Sequence, residues 1–116
     1  MLKRENRLKK NRHFNYIYKH GTSVKVGDVV MVYIKLKVKP YKVGFSVGGK
    51  VGKSVVRSKV KRQMSEAFKL LTPVVDKRYN YIFVARENIS EKSFFEIKDM
   101  MHACIKKAGL ENEIVG

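Results

Sequence analysis

The stretch 53–71 sets the strongest constraint on what this chain can fold into. At ~100° per residue, Val56, Val60, Met64, Ala67, Leu70 and Leu71 fall within roughly one third of a helical circle. Arg57, Ser58, Lys61, Arg62, Ser65 and Lys69 fall on the opposite arc. A helix with one apolar stripe must bury it against a second layer. The other face is a strip of cations and hydroxyls, and the one acid of the stretch, Glu66, sits at its border beside Lys59. A solvated face ordinarily mixes signs, whereas Arg57 and Lys61 are like charges one turn apart and repel. The loop before the helix carries Gly48, Gly49 and Gly52 and leaves free helix N-terminal N–H groups beside Lys53. Such a terminus attracts phosphate. The competing reading is a plain solvated helix face, which accounts for most charged faces.

The charge balance favours the phosphate reading. Lys and Arg number 26 against 10 Asp and Glu, for a formal net charge of +16. That excess repels itself in a folded state, and a polyanion relieves it: nucleic acid, or less often an anionic membrane. An apolar content of 44% excludes a disordered basic tail. A length of 116 residues suits one domain. The longest apolar run, Val29 to Ile34, falls far short of the ~20 residues needed to span a bilayer. No apolar stretch of signal-peptide length follows the basic N-terminus. Cys104 is single and cannot form an internal disulfide. The expected setting is cytoplasmic, with no membrane association.

Residues 1–10 are polar and basic, with Lys3, Arg4, Arg7, Lys9 and Lys10, and read as a flexible arm ahead of one domain over 11–116. Asn11 is a plausible N-cap for a short helix with Phe14, Ile17 and Tyr18 at helical spacing, and Gly21 can end it. Val29 to Val38 is rich in β-branched residues. Pro40-Tyr41 breaks it, and Lys42 to Val47 reads as the returning strand of a hairpin. The helix is expected from near Ser54 to about Leu71, stopping before Pro73. Tyr79 to Ala85 reads as a buried strand. Ser93 with Glu96 makes a capping box for a last helix ending at Gly109. The order αββαβα, with a short extra strand near Ser23–Val26, describes an α+β two-layer sandwich on a mostly antiparallel sheet.

Residues 44–68, GFSVGGKVGKSVVRSKVKRQMSEAF, resemble the signature of the bacterial ribonuclease P protein component. That signature is a Gly-hydrophobic-Ser-Val strand, then Lys-x-x-x-Arg-Asn-Arg, two spacers and Lys-Arg before an acidic-aromatic end. Residues 7–24, RLKKNRHFNYIYKHGTSV, resemble the family's N-terminal segment. Lys53, Arg57, Lys61, Arg62 and Phe68 match. The family's central Asn is Ser58 here, the next Arg is Lys59, and a further Arg one turn on is Ser65. The resemblance implies a non-catalytic protein subunit of an RNA-based endonuclease that matures the 5′ end of tRNA. It implies that Lys53, Arg57, Ser58, Lys59, Lys61, Arg62 and Ser65 bind the catalytic RNA subunit, which works with Mg²⁺. It places the 5′ leader of precursor tRNA in a cleft between the sheet and the first helix, requires no other protein, and implies a left-handed β-α-β crossover, against the usual hand, as in a ribosomal-protein-like sandwich.

Aromatic faces inside a basic groove are a common seat for single-stranded RNA. By resemblance Phe14 and Tyr18 line the leader cleft, with Tyr33 and Phe45 of the expected hairpin as further candidates. Core packing is the competing role for each, above all for Phe45. Phe94, Ile97, Met101, Cys104, Ile105 and Ala108 fit the packed face of the last helix. A metal or catalytic site finds little support. His13, His20 and His102 are scattered, no Cys or His lies at ligand spacing, and GGKVGKS at 48–54 lacks the Walker A spacing. The isolated protein is therefore expected to be inactive. The alternative function is a structural RNA-binding protein of the ribosome, which shares size, charge and α+β character.

Overall fold

The computed structural model describes residues 4–112. The elements are α1 (Asn11–His20), β1 (Thr22–Val26), β2 (Val29–Lys35), β3 (Val43–Val47), α2 (Ser54–Leu71), β4 (Tyr79–Ala85) and α3 (Phe94–Lys107). Short 3-10 turns occupy Arg4–Asn6, Gly49–Val51 and Glu87–Glu91. The strands form one sheet in the order β1-β2-β4-β3. β1 pairs with β2 and β2 with β4, both antiparallel. β3 and β4 are parallel, joined through α2. The fold is the expected mostly antiparallel α+β arrangement, with no membrane-length apolar helix among the described residues.

Two differences from the sequence reading matter for the site. The hairpin is β1–β2, not β2–β3. Val26 and Val29 face each other across Gly27-Asp28, and Gly27 adopts φ +58°, as a two-residue hairpin loop requires. The segment near Ser23–Val26 is thus a full edge strand. Lys42–Val47 does not return along β2, because β4 occupies that edge in register from Val29↔Ala85 to Lys35↔Tyr79. β3 instead lies outside β4, from Val43↔Tyr81 to Val47↔Ala85.

Both faces of the sheet are covered, which explains the unbroken apolar run in β2. Val29 and Met31 face α2 and α3, in a core that includes Met64, Phe68, Phe83, Ile97, Met101 and Ile105. Val32 faces α1, in a smaller cluster with Leu8, Ile17 and Ile82. The Ser93–Glu96 capping box is formed reciprocally, with both hydrogen bonds at 3.1 Å. α1 starts one residue earlier than expected. Asn11 is its first helical residue, and Lys10 is the N-cap, without a side-chain bond.

The segment read as a flexible arm is docked over its last part. Asn6 is buried and its Nδ2 donates to the Tyr41 carbonyl at 2.8 Å. Arg7 bridges Val43, and the Leu8 N–H donates to the Val43 carbonyl at 2.9 Å. Burial of Leu8 against Ile17 supplies the reason: it is the one apolar residue of 4–10, and it anchors that part of the basic stretch. Residues 1–3 of that expectation lie outside the described residues.

Candidate nucleic-acid interface

A cleft of about 1050 Å³ runs along the outer edge of β3, between α1 and α2. Its α1 wall carries Phe14, Asn15 and Tyr18, and its α2 wall carries Ser54, Arg57, Ser58, Lys61 and Ser65. Arg7 and Lys9 also belong to the lining. The lining contains no Asp or Glu.

The α1 wall is built from one anchor. Ile17 is the buried residue of α1, 3% exposed, and it packs with Leu8, Val32 and Ile82. Phe14, one turn before it, and Tyr18, the residue after it, flank it on the β3 side, their ring centroids 6.4 Å apart and tilted by 38°. Phe14 is half-buried and Tyr18 is 43% exposed, so both rings keep accessible surface. Phe14 reaches over the strand because Gly44 has no side chain. A Cβ there would come within 2.5 Å of the Phe14 ring.

The α2 wall differs from the two opposed arcs expected. Phe68 belongs to the buried stripe, with 0% exposure, whereas Leu70 is 58% exposed. At ~100° per residue Phe68 falls between Arg57 and Lys61, so the apolar stripe borders the cationic strip instead of opposing it. The consequence appears at Arg57. Its stem is partly buried, and its Nε has no hydrogen-bond partner among the described residues. A buried donor left unmade costs roughly 1–3 kcal/mol, and an anion in the cleft would relieve that cost.

The expected RNA-binding residues therefore divide. Arg57, Ser58, Lys61 and Ser65 line the cleft. Lys53, at the N-cap position of α2, and Lys59 and Arg62, on its outer face, are exposed and lie outside the cleft lining. Phe14, Tyr18 and Phe45 come together at the cleft. Phe45 does so from the floor, with its ring stacked on Phe83 at 6.1 Å and set edge-on to Phe68 at 6.4 Å. Tyr33 does not join them. It alternates with Val32 and Ile34, which face α1, and meets Tyr79 edge-to-face at 6.0 Å against the main core, with β4 between β2 and the cleft strand.

Sequence reasoning missed Gly44, Ser46, Asn15 and Ser54. The first two had a legible signal. Val43, Phe45 and Val47 pack on the α2 side, so Gly44 and Ser46 alternate to the α1 side with period two. Among the described residues no three His, Cys, Asp or Glu side chains gather as metal ligands. Cys104 is buried, and burial pushes its thiol up from the usual range.

Comparison with known proteins bears on the family of the chain. Residues 2–109 match the family model described as Ribonuclease P. The ribonuclease P protein component of Clostridium beijerinckii is 42% identical over 91% of this chain and 90% of its own. That of Caldanaerobacter subterraneus is 36% identical over 97% of each. The solved RNase P protein of Staphylococcus aureus superposes with a TM-score of 0.83 at 30% identity, over 92% of this chain and 98% of that one. The one from Thermotoga maritima gives 0.79 at 27% identity, over 87% and 96%. These likenesses set aside the ribosomal alternative: the chain belongs to the ribonuclease P family, as a protein component of that tRNA-processing ribonucleoprotein.

Proposed function

We propose that this chain holds RNA for an RNA-based catalyst, with the 5′ leader of precursor tRNA in the β3 cleft and the RNA subunit on the exposed cations of α2. One observation carries the reading: an accessible aromatic wall, Phe14 and Tyr18, faces a carboxylate-free wall whose Arg57 Nε has no partner among the described residues. Rings stack unpaired bases, and the cations and hydroxyls opposite take phosphate oxygens. Lys53, Lys59 and Arg62 face outward, where a second, larger RNA surface can meet them.

Phosphodiester hydrolysis needs a positioned nucleophile and stabilised charge on the phosphate oxygens. The cleft supplies charge stabilisation but no carboxylate to hold a metal or act as base. Mg²⁺ and the hydrolytic chemistry are assigned to the RNA subunit on the family resemblance. The reading is tested by incubating RNA-free protein with precursor tRNA and Mg²⁺, then adding the cognate RNA. Cleavage is expected only after the addition. Site-specific cleavage by the protein alone, lost on substituting Arg57 and Lys61 together, would make the chain a nuclease in its own right.

A further inference from the structure

The floor of the cleft is a sheet edge with a defined set of free backbone groups. The Tyr81 N–H donates to the Lys42 carbonyl at 2.9 Å. In a parallel ladder this sets residues 42, 44 and 46 with their polar groups toward β4. Val43, Phe45 and Val47 then turn theirs outward, and the bond from Leu8 to the Val43 carbonyl confirms that direction. Residues 7–8 start to extend the sheet beyond β3, but the chain leaves at Lys9 to enter α1. The outward N–H and C=O of Phe45 and Val47 are left facing the cleft with no partner among the described residues.

Proteins ordinarily blunt such an edge by covering it or by placing charge along it. Here the cover stops after Leu8, and both flanks carry groups suited to RNA. We propose that the open edge of β3 reads nucleobases, its outward amides and carbonyls at Phe45 and Val47 hydrogen-bonding the base edges of single-stranded RNA. This rests on the leader reading and adds to it a source of selectivity in the backbone.

The spacing suits that role. Outward residues repeat every two positions, about 6.6 Å apart. Stacked nucleotides repeat at about 3.4 Å per strand, so a strand drawn out roughly twofold sets one base per outward residue. Drawn out, the bases are unstacked and expose their pairing edges. Phe14 and Tyr18 can replace the lost stacking from one side, and Arg57 and Lys61 neutralise the backbone on the other. An extended peptide could pair with the same edge, but four cations and no carboxylate in the lining favour a polyanion.

The test uses hydrogen exchange on the full-length protein, alone and with a single-stranded RNA of leader sequence. Alone, the Phe45 and Val47 amides are expected to exchange fast while Gly44 and Ser46 are protected. With RNA, Phe45 and Val47 become protected. A second measurement replaces the Val47 amide by an ester in the reconstituted holoenzyme. Precursor tRNA should then bind about 2- to 12-fold more weakly, from the ~0.5–1.5 kcal/mol of one hydrogen bond, with mature tRNA unchanged. Phe45 and Val47 amides already protected without RNA, or protected only by an unstructured peptide, overturn the proposal. So does an ester chain that keeps the wild-type preference for precursor. If the wild type itself binds precursor and mature tRNA equally, the leader reading fails and takes this one with it. A preference that survives the ester sinks the edge alone.

Discussion

The ring of Phe14 fills the space that a side chain at Gly44 would need: an ideal Cβ there would lie 2.5 Å from its Cζ and 2.7 Å from its Cε1. The helix wall and the strand floor of the cleft are therefore keyed together by one missing methyl group. Gly44→Ala should push the ring aside at little cost to the fold, because the nearest atoms belong to the end of a movable side chain. The expected result is weaker binding of precursor tRNA with mature tRNA unaffected, by as much as the ~1–3 kcal/mol of one stacked base. Phe14→Ala should have the same selective effect. Equal losses on both tRNAs, with the melting curve intact, would remove Phe14 from leader binding.

RNA binding should depend steeply on salt. Arg57 and Lys61 line the cleft, and Lys53, Lys59 and Arg62 stand exposed at the start and on the outer face of α2. About five phosphate contacts, at ~0.7–0.9 released counterions each, predict a loss of roughly two to three decades on a fourfold rise in salt. Replacing Arg57 and Lys61 together by Ala should lower the slope of log K against log salt by about 1.4–1.8. Filter binding across a salt series measures both, and an unchanged slope in the double variant would place the contacts elsewhere.

Two neighbours on α2 should respond in opposite ways to truncation. Phe68 is fully buried and meets the rings of Tyr41, Phe45, Tyr81 and Phe83 at centroid distances of 5.6 to 6.4 Å. Phe68→Ala should destabilise the fold by about 3–5 kcal/mol. Leu70→Ala removes an exposed side chain and should stay within about 0.5 kcal/mol. Urea denaturation of the two variants, read against the wild type, checks the contrast.

Stability should weaken in acid through Asp76. Arg78 donates to both of its carboxylate oxygens, at 2.7 to 3.2 Å, and this bonding holds the buried carboxyl below its usual range. A carboxyl with a lowered folded pKa contributes stability that is present above its unfolded pKa, about 3.9, and lost as pH falls through the folded value. The exposed Arg78 guanidinium keeps the effect modest. Asp76→Asn should be less stable at neutral pH and should lose less on acidification. Thermal melts from pH 6 down to pH 2 compare the two, and parallel profiles would exclude Asp76 as a source of the acid limb.

Much of this architecture was readable from local signals. The capping box at Ser93, the stop before Pro73 and the run from Tyr79 to Ala85 each reflect chemistry within a few residues, and the elements fall where those signals put them. Strand pairing was not local. The turn signal at Gly27-Asp28 lies in the sequence but was not read as one, and nothing near Lys42–Val47 tells that a strand nearly forty residues later will claim the edge of β2. The same distinction runs through the site. Helical spacing puts Phe14 and Tyr18 together on α1 and the family resemblance directs them to the cleft, whereas Tyr33 left the cleft because its face depends on strand parity and neighbours. Phe68 was hidden for another reason. It sits in angle among cations, and its burial depends on β3 and β4 bringing Phe45 and Phe83 across to it.

The placement of β4 between β2 and β3 also orders events in time. β1 and β2 can zip together as soon as Gly27-Asp28 has turned the chain, whereas Val43 finds its strand neighbour only when Tyr81 exists. Contacts so far apart in sequence form late, because the intervening loop must close first. A nascent chain released before β4 would carry every cation of α2 and both rings of α1, yet its β3 would lack the strand that holds it in the sheet as the cleft floor. Basic charge is available to RNA before β4 is made. The cleft floor is fixed last, with the strand that completes the sheet.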